Sequence, residues 1–253
     1  MGLGLGSSLS KGGLATPSIV TDSLVLKHNY AAGGVVPVSD GAADINADVA
    51  ANEYIAVPAI TIGTGDISVS AWVFITEFVD YAGIFCNRDS DEDNYGIALR
   101  TRSSGTVFDM IIDDSSGSTT LTSTGKNINQ WYHLCCVWDR DGSGYLYIDG
   151  VLDVSGVITA RQLTLSHDGI VKIGQNSSTN EMRGYICNVG YWNGVLTQAQ
   201  IKSIMWKNYA GLASSETTNL VSWWNLDEQT ATDGTAGTGG VKDYHGSNHG
   251  TLT

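Results

Sequence analysis

The chain has 253 residues, of which 31 are glycine and only 13 are lysine or arginine, and its formal net charge is −13. This balance argues against nucleic-acid binding, which needs clustered cations, and against docking on anionic membranes. No apolar run is long enough to cross a bilayer, so we expect no membrane insertion.

The first 23 residues are rich in glycine and show neither strand-like alternation nor a helical face. They also lack the charged and apolar regions of a secretion signal. We therefore expect residues 1–23 to form a flexible arm ahead of a domain that spans 24–253. Glycine raises the entropy lost on ordering, so such an arm needs a partner surface to become ordered.

Strand-like runs recur after the arm, with turn residues between them. The run DISVSAWVFI at 66–75 alternates and places Ile67, Val69 and Val73 on one face. Further runs of this kind lie at 95–101, 107–113, 120–124, 145–150 and 169–174. Many short strands with regular turns predict an all-β, two-sheet antiparallel sandwich.

The stretch WYHLCCVWDRDGSGYLYIDG at 131–150 suggests both a redox pair and a calcium loop. In a strand, Cys135 and Cys136 point to opposite faces, so they are poorly placed to form a disulfide with each other. The calcium-loop reading needs flanking helices and a glutamate at the twelfth position, where this chain has Gly150. We interpret DRDGSG as a hairpin turn, Asp149-Gly150 as a type I′ turn, and the four cysteines as buried thiols.

One segment has helical periodicity. In LTQAQIKSIMWKNYAG at 196–211, Ile201, Ile204 and Met205 fall on one helical face. Thr197 is a suitable N-cap and Gly211 a suitable end. The pattern predicts one short helix packed against a sheet.

Two long motifs resemble laminin-G-like and pentraxin-like domains of the concanavalin A-like superfamily. They are WYHLCCVWDRDGSGYLYIDGVLD, which begins at Trp131, and IGQNSSTNEMRGYICNVGYWNGVLTQAQIKSI at 173–204. With TGDISVSAWV, the resemblance covers roughly residues 24 to 210. It implies a jelly roll, in agreement with the strand pattern.

The block LVSWWNLDE followed by DYHGSNHGTLT, near the C-terminus, resembles the opening of such domains. A degenerate counterpart stands at 24–30 and 39–45. Because two strands cannot bury a core alone, we expect residues 217–253 to add strands to the same sandwich.

Calcium is the metal that the acidic loops favour. Asp89, Asp91 and Asp93 lie in the loop NRDSDEDN, where dense carboxylates offer hard oxygen ligands, although a solvated acidic loop is the simpler interpretation. The resemblance implies a second calcium loop in DYHGSNHG, with Asp243 and Asn248 as ligands.

Sugar binding is the function that the resemblance implies, and aromatic rings are the candidates for it. Trp223 and Trp224 are adjacent in a predicted strand, so one ring faces away from the core unless a second layer covers it. Tyr191 and Trp192 raise the same question. The alternative is that all four rings are buried.

The sequence favours a binding or structural protein over an enzyme. A glycoside hydrolase needs two carboxylates facing each other across a cleft, and the six glutamates show no such spacing. The arm and the tail also resemble virion proteins of marine bacteriophages. We therefore expect a capsid-decorating or tail-associated protein in the virion, whose arm contacts other virion proteins or its own copies and which binds cell-surface glycans. The alternative is a free or secreted, extracellular lectin.

Overall fold

The computed structural model describes residues 35–45, 53–88, 95–165, 169–176, 180–228 and 240–253. These residues belong to one compact unit, Gly33–Thr253. The arm expected at 1–23 and the run at 24–30 lie outside the described residues, and the acidic loop with Asp89, Asp91 and Asp93 does as well.

The described residues form short strands and one short helix. In chain order they are β1 (Ala43–Asp44), β2 (Ile55–Val57), β3 (Ile67–Glu77), β4 (Gly83–Arg88), β5 (Gly96–Arg102), β6 (Val107–Asp114), β7 (Gly117–Thr122), β8 (Trp131–Trp138), β9 (Ser143–Ile148), β10 (Val151–Val157), β11 (Val171–Ile173), β12 (Arg183–Trp192), α1 (Gln198–Ile204), a 3-10 turn (Tyr209–Gly211), β13 (Leu220–Trp224), β14 (Gly240–Val241) and β15 (Gly250–Leu252).

The strands make two sheets. The first sheet has the order β1-β12-β3-β8-β9-β10, with β13 also paired to β12. The second has the order β14-β15-β2-β11-β4-β5-β6-β7. Neighbouring strands in the ladders run antiparallel. The predicted all-β, two-sheet antiparallel jelly roll with one short helix is confirmed.

Alternation along β3 explains how the first sheet is covered on both sides. Ile67, Val69 and Val73 are fully buried in the core between the sheets. On the opposite face, the Trp72 indole N–H donates to the carbonyl of Met205 at 2.9 Å, just after α1. Helix α1 therefore forms a second apolar layer on the outer face of this sheet.

The segment around the two adjacent cysteines folds as predicted. Cys135 lies in the apolar cluster under α1, whereas Cys136 lies in the core between the sheets. All four cysteines are buried thiols, and burial raises the pKa of the Cys86 thiol to about 12. Asp149 and Gly150 have φ values of 52° and 74°, as a type I′ turn requires.

Helix α1 is shorter than predicted. Thr197 caps it as expected, and Gln200 completes a capping box. The helix ends at Ile204, not near Gly211, because Asn208 is extended (φ −94°, ψ −177°) and interrupts the helical hydrogen bonds. A separate 3-10 turn then runs to Gly211. Among the described residues, no helix has both the length and the apolar character needed to cross a membrane.

The C-terminal block contributes to both sheets. Strand β13 pairs with β12 at Val189–Trp192, and β1 pairs with the same strand at Tyr185 and Ile186. Strand β15 pairs with β2 and with β14 in the second sheet.

Candidate functional site

The four aromatic residues predicted to hold a glycan lie inside the molecule. Tyr191 and Trp224 face the core between the sheets, where both rings pack near Phe85. Trp192 and Trp223 face the layer under α1, with ring centroids 5.9 Å apart. Each ring is at most 1% exposed. A stacking role does not fit these positions, because both faces of the first sheet are covered by a further layer.

The indole N–H groups of these tryptophans already have partners inside the protein. Trp192 donates to the carbonyl of Glu216 at 2.7 Å, and Trp224 donates to the carbonyl of Asn248 at 2.8 Å. Trp223 donates to Asn225 Oδ1 at 2.9 Å. They are therefore structural residues of a two-layered sheet.

The predicted calcium ligand Asp243 is a backbone cap. Its Oδ1 accepts the N–H groups of Trp223, His245 and Gly246 at 2.9–3.0 Å. Its Oδ2 accepts the N–H of Asn248 at 3.0 Å. A carboxylate has about four lone-pair sites, so these bonds occupy the oxygens that a metal would need.

Asn248, the second predicted ligand, is also engaged. Its side-chain amide donates to the Ser222 hydroxyl at 2.8 Å, and its carbonyl accepts from Trp224. The residues in this loop do not fit calcium. Across the part of the chain that the structure describes, no group of three or more His, Cys, Asp or Glu side chains could hold a metal ion.

The Asp243 carboxylate also shapes the turn that carries Tyr244 and His245, because it accepts backbone N–H groups of that turn. The Tyr244 ring lies 6.0 Å from the ring of Tyr209, which comes from the 3-10 turn after α1. Tyr209 also lies 6.0 Å from the His245 ring, and its hydroxyl is 3.3 Å from His245 Nδ1. The two tyrosines are half-buried and His245 is exposed. We call Tyr209, Tyr244 and His245 the C-terminal aromatic patch.

Asn225 joins the two sides of this patch. Its buried Oδ1 accepts the Tyr209 N–H at 3.2 Å and also holds the Trp223 indole. The Lys242 ammonium lies 4.5 Å from the centre of the Tyr244 ring, a cation–π distance. Asn225, which binds the sheet residue Trp223, therefore also holds the backbone of the patch in place.

Carboxylates border the patch. Burial raises the pKa of Tyr244, and the nearby Asp227 and Glu228 raise it further. Burial also raises the pKa of both carboxyl groups. Glu228 accepts the Lys242 backbone N–H at 3.0 Å. Exposed ring edges beside carboxylates offer both apolar contact and hydrogen-bond acceptors for a polyhydroxylated ligand.

The four aromatic residues chosen from the sequence lie inside strands and are buried, whereas the rings of the C-terminal aromatic patch come from turns. The available signal was the DYHG turn itself, where Tyr244 and His245 follow an aspartate that can cap its own loop.

Comparison with known proteins agrees with this fold. Residues 49–202 match the Laminin_G_3 family model of the concanavalin A-like lectin/glucanases superfamily. Over 88 residues the chain is 30% identical to C-reactive proteins 1.1 and 3.3 of Limulus polyphemus. That match covers 30% of this chain and only 36% of each relative's length.

Two solved structures are similar to this chain. A protein from Bacteroides ovatus, described as a candidate carbohydrate-binding protein, superposes with a TM-score of 0.58 at 21% identity, over 80% of this chain and 56% of that one. A heptameric pentraxin from Limulus polyphemus gives 0.45 at 18% identity, over 63% and 83%. The family model covers more than half of the chain, which therefore belongs to the Laminin_G_3 family of the concanavalin A-like lectin/glucanase superfamily.

Proposed function

We propose that this chain is a carbohydrate-binding module and that the C-terminal aromatic patch is its sugar platform. Membership in a lectin/glucanase superfamily supports the class of ligand. The observation that carries the proposal is the pair of half-buried tyrosine rings, Tyr209 and Tyr244, held 6.0 Å apart by a capped turn. Sugars present apolar C–H faces to such rings and hydroxyl groups to neighbouring carboxylates.

Binding fits the patch better than hydrolysis does. A glycoside hydrolase needs an acid and a second carboxylate on opposite sides of the scissile bond. Asp227 and Glu228 are neighbours in sequence, and Glu228 is engaged by the Lys242 backbone. We assign these groups to ligand contact. Release of reducing sugar from a glycan that the protein binds would overturn this assignment.

A glycan array followed by calorimetry with the best ligand tests the proposal. Tyr244→Ala and Tyr209→Ala should each weaken binding about tenfold, because each removes one stacking ring. Tyr185→Ala is the matched control, since Tyr185 is also half-buried and packs on Phe74 at 5.8 Å, outside the patch. Equal binding by all three variants and the wild type would refute the platform.

We also propose where this module acts. The resemblance of the arm and tail to marine bacteriophage virion proteins supports a capsid-decorating or tail-associated protein, and a free lectin is the alternative. Deleting residues 2–20 should leave the domain folded and abolish incorporation into particles. Incorporation at the wild-type copy number would favour the free lectin.

We propose calcium binding only for the acidic loop NRDSDEDN. Asp89, Asp91 and Asp93 have the ligand chemistry that calcium prefers. A calcium titration of the wild type and of Asp91→Asn, followed by calorimetry, separates a bound ion from a solvated loop. Identical heats for the two proteins would remove calcium from the function.

A further inference from the structure

The outer face of the second sheet carries a cluster of basic side chains. Residues alternate along β5, so Ile97 and Leu99 enter the core while Arg100 and Arg102 project outward. Arg88 on the neighbouring β4 projects from the same face, and Lys172 on β11 is paired in register with Cys86. We call Arg88, Arg100, Arg102 and Lys172 the basic face. They are four of only 13 basic residues in a chain of net charge −13.

Two aspartates on β6 neutralise part of this charge, but their contacts are long. Arg100 and Arg102 share the Oδ2 of buried Asp109 at 3.5 Å each, and Arg88 reaches Asp113 at 3.4 Å. Charge-assisted hydrogen bonds are normally 2.7–2.9 Å. The Asp109 Oδ1 accepts a short bond of 2.7 Å from the Thr122 hydroxyl instead. The aspartates therefore hold the arginines in place without saturating them.

Each of the three arginines has one hydrogen-bond donor without a partner among the described residues. The Nε atoms of Arg88, Arg100 and Arg102 are buried, and none has a hydrogen-bond partner within the described parts of the chain. The Arg88 side chain is only 9% exposed. Buried polar atoms without partners are rare, because such an atom has lost its hydrogen bonds to water and has gained none in return. Two of these donors, those of Arg100 and Arg102, lie two residues apart on the same face of β5, which marks this part of the basic face as short of acceptors.

Tyr81 lies beside these donors and adds an apolar contact surface. The guanidinium carbons of Arg100 and Arg102 lie 4.6 and 4.9 Å from the centre of its ring. The ring is still 41% exposed. Tyr81 has a φ of 61°, a left-handed backbone conformation that costs a non-glycine residue energy and that is found preferentially at functional sites. The fold thus maintains a strained loop that displays an open ring next to cations.

We propose that the basic face binds an acidic polysaccharide, with a sulfate or carboxylate of the sugar on the partly exposed guanidinium groups of Arg100 and Arg102 and the sugar ring on Tyr81. The oxygens of such a group match the N–H donors of a guanidinium. This site is separate from the C-terminal aromatic patch and does not depend on it.

Charge density favours a polysaccharide over a nucleic acid. Duplex DNA carries one charge per about 1.7 Å and requires many cations to displace its counterions. The basic face has four cations and two neighbouring aspartates, and the rest of the chain is acidic. A polymer with widely spaced acidic groups can place one group here without bringing a dense row of negative charge against an acidic protein.

Direct binding measurements with the full chain test the proposal. The probes are a sulfated galactan hexasaccharide, its desulfated form, inorganic sulfate and a single-stranded oligonucleotide. The sulfated hexasaccharide should bind, and the affinity should fall as salt rises. Arg102→Gln should weaken binding about tenfold through loss of a charge-assisted hydrogen bond. Lys202→Gln, which removes an exposed positive charge from α1, is the matched control and should bind like the wild type.

Tyr81→Gly separates binding from folding. Glycine adopts positive φ without strain, so the thermal midpoint of this variant should stay at or above the wild-type value while its affinity falls. Wild-type affinity in both Arg102→Gln and Tyr81→Gly would overturn the proposal. Equal binding of the desulfated hexasaccharide, equal binding of inorganic sulfate, or tighter binding of the oligonucleotide would each overturn it too. Loss of glycan binding in the Tyr244→Ala variant bears only on the aromatic patch.

Discussion

The outer faces of the two sheets have opposite surface chemistry. Helix α1 covers the first face and buries Trp192, Trp223 and Cys135 under a second apolar layer. Among the described residues, the second face has a small apolar cluster of Cys86, Ala98 and Ile111, set among the arginines of the basic face. The outer face of the first sheet therefore contributes to stability through apolar packing, whereas the outer face of the second sheet presents polar side chains.

The difference explains why the aromatic residues chosen from the strands are buried. A large ring on the covered face gains burial on both sides, so it contributes to folding. The rings of the two proposed sites, Tyr81, Tyr209 and Tyr244, come instead from turns. Substitutions on the covered face should thus reduce stability, whereas substitutions on the basic face should reduce binding.

Trp223→Ala should have the largest effect on stability. Trp223 is 1% exposed and touches Trp192 under α1, so truncation leaves a cavity that costs about 3–5 kcal/mol. Urea unfolding measures this change. Trp206→Ala is the control, because Trp206 is 50% exposed and should change stability by less than about 1 kcal/mol. Similar losses in the two variants would show that α1 does not cover the face.

Glu216→Gln should cost about 2 kcal/mol at neutral pH, since it removes a buried charge partner. Both Glu216 carboxylate oxygens accept from the Lys207 ammonium at 2.7 Å, and Oε2 also accepts the Ala213 N–H. The Glu216 carbonyl holds Trp192, so this residue braces the layer over the first sheet.

The same residue predicts an acid dependence. Burial alone would raise the pKa of Glu216, but hydrogen bonds from Lys207, Ser203 and Ala213 outweigh it and leave the pKa below its ordinary value. Its stabilisation is therefore present above about pH 4.5 and is lost as pH falls further. Below that pH the difference in unfolding free energy between wild type and Glu216→Gln should shrink, and a constant difference down to pH 3 would contradict this.

His133 should give a second acid dependence, at a higher pH. Its ring lies 5.3 Å from Trp72 on the covered face, and burial lowers its pKa from 6.5 to about 3. The unfolded chain takes up a proton below pH 6.5 that the folded protein does not. Stability should therefore fall by about 1.4 kcal/mol per pH unit below 6.5.

Unfolding of wild type and His133→Leu between pH 6.5 and 5 isolates this group from the glutamates. The variant should lose the slope, and His245→Asn, which alters an exposed histidine, should keep it. Parallel slopes in wild type and His133→Leu would mean that another group titrates.

Local patterns were sufficient to predict most of the fold. Alternation in β3 and β8 gave the correct faces, and Thr197 marked the start of α1, because these features depend on neighbours in sequence. The end of α1 was missed, since it depends on the backbone of Asn208. The residues of the two proposed sites could not be found in the same way. The ion pairs of Arg100 and Arg102 with Asp109, and the approach of Tyr209 to Tyr244, join separate segments that only the sheet register brings together.

The shared edge of β12 has a consequence for how the protein is made. One edge of strand β12 pairs with β3, and its other edge pairs first with β1 and then with β13. One edge of β2 pairs with β15, whose residues 250–252 are synthesised about 200 residues later. A ribosome that adds residues one at a time exposes these open strand edges until it has passed residue 252. The sandwich should therefore close only after that point, and a stalled nascent chain ending before β13 is the form most prone to aggregation.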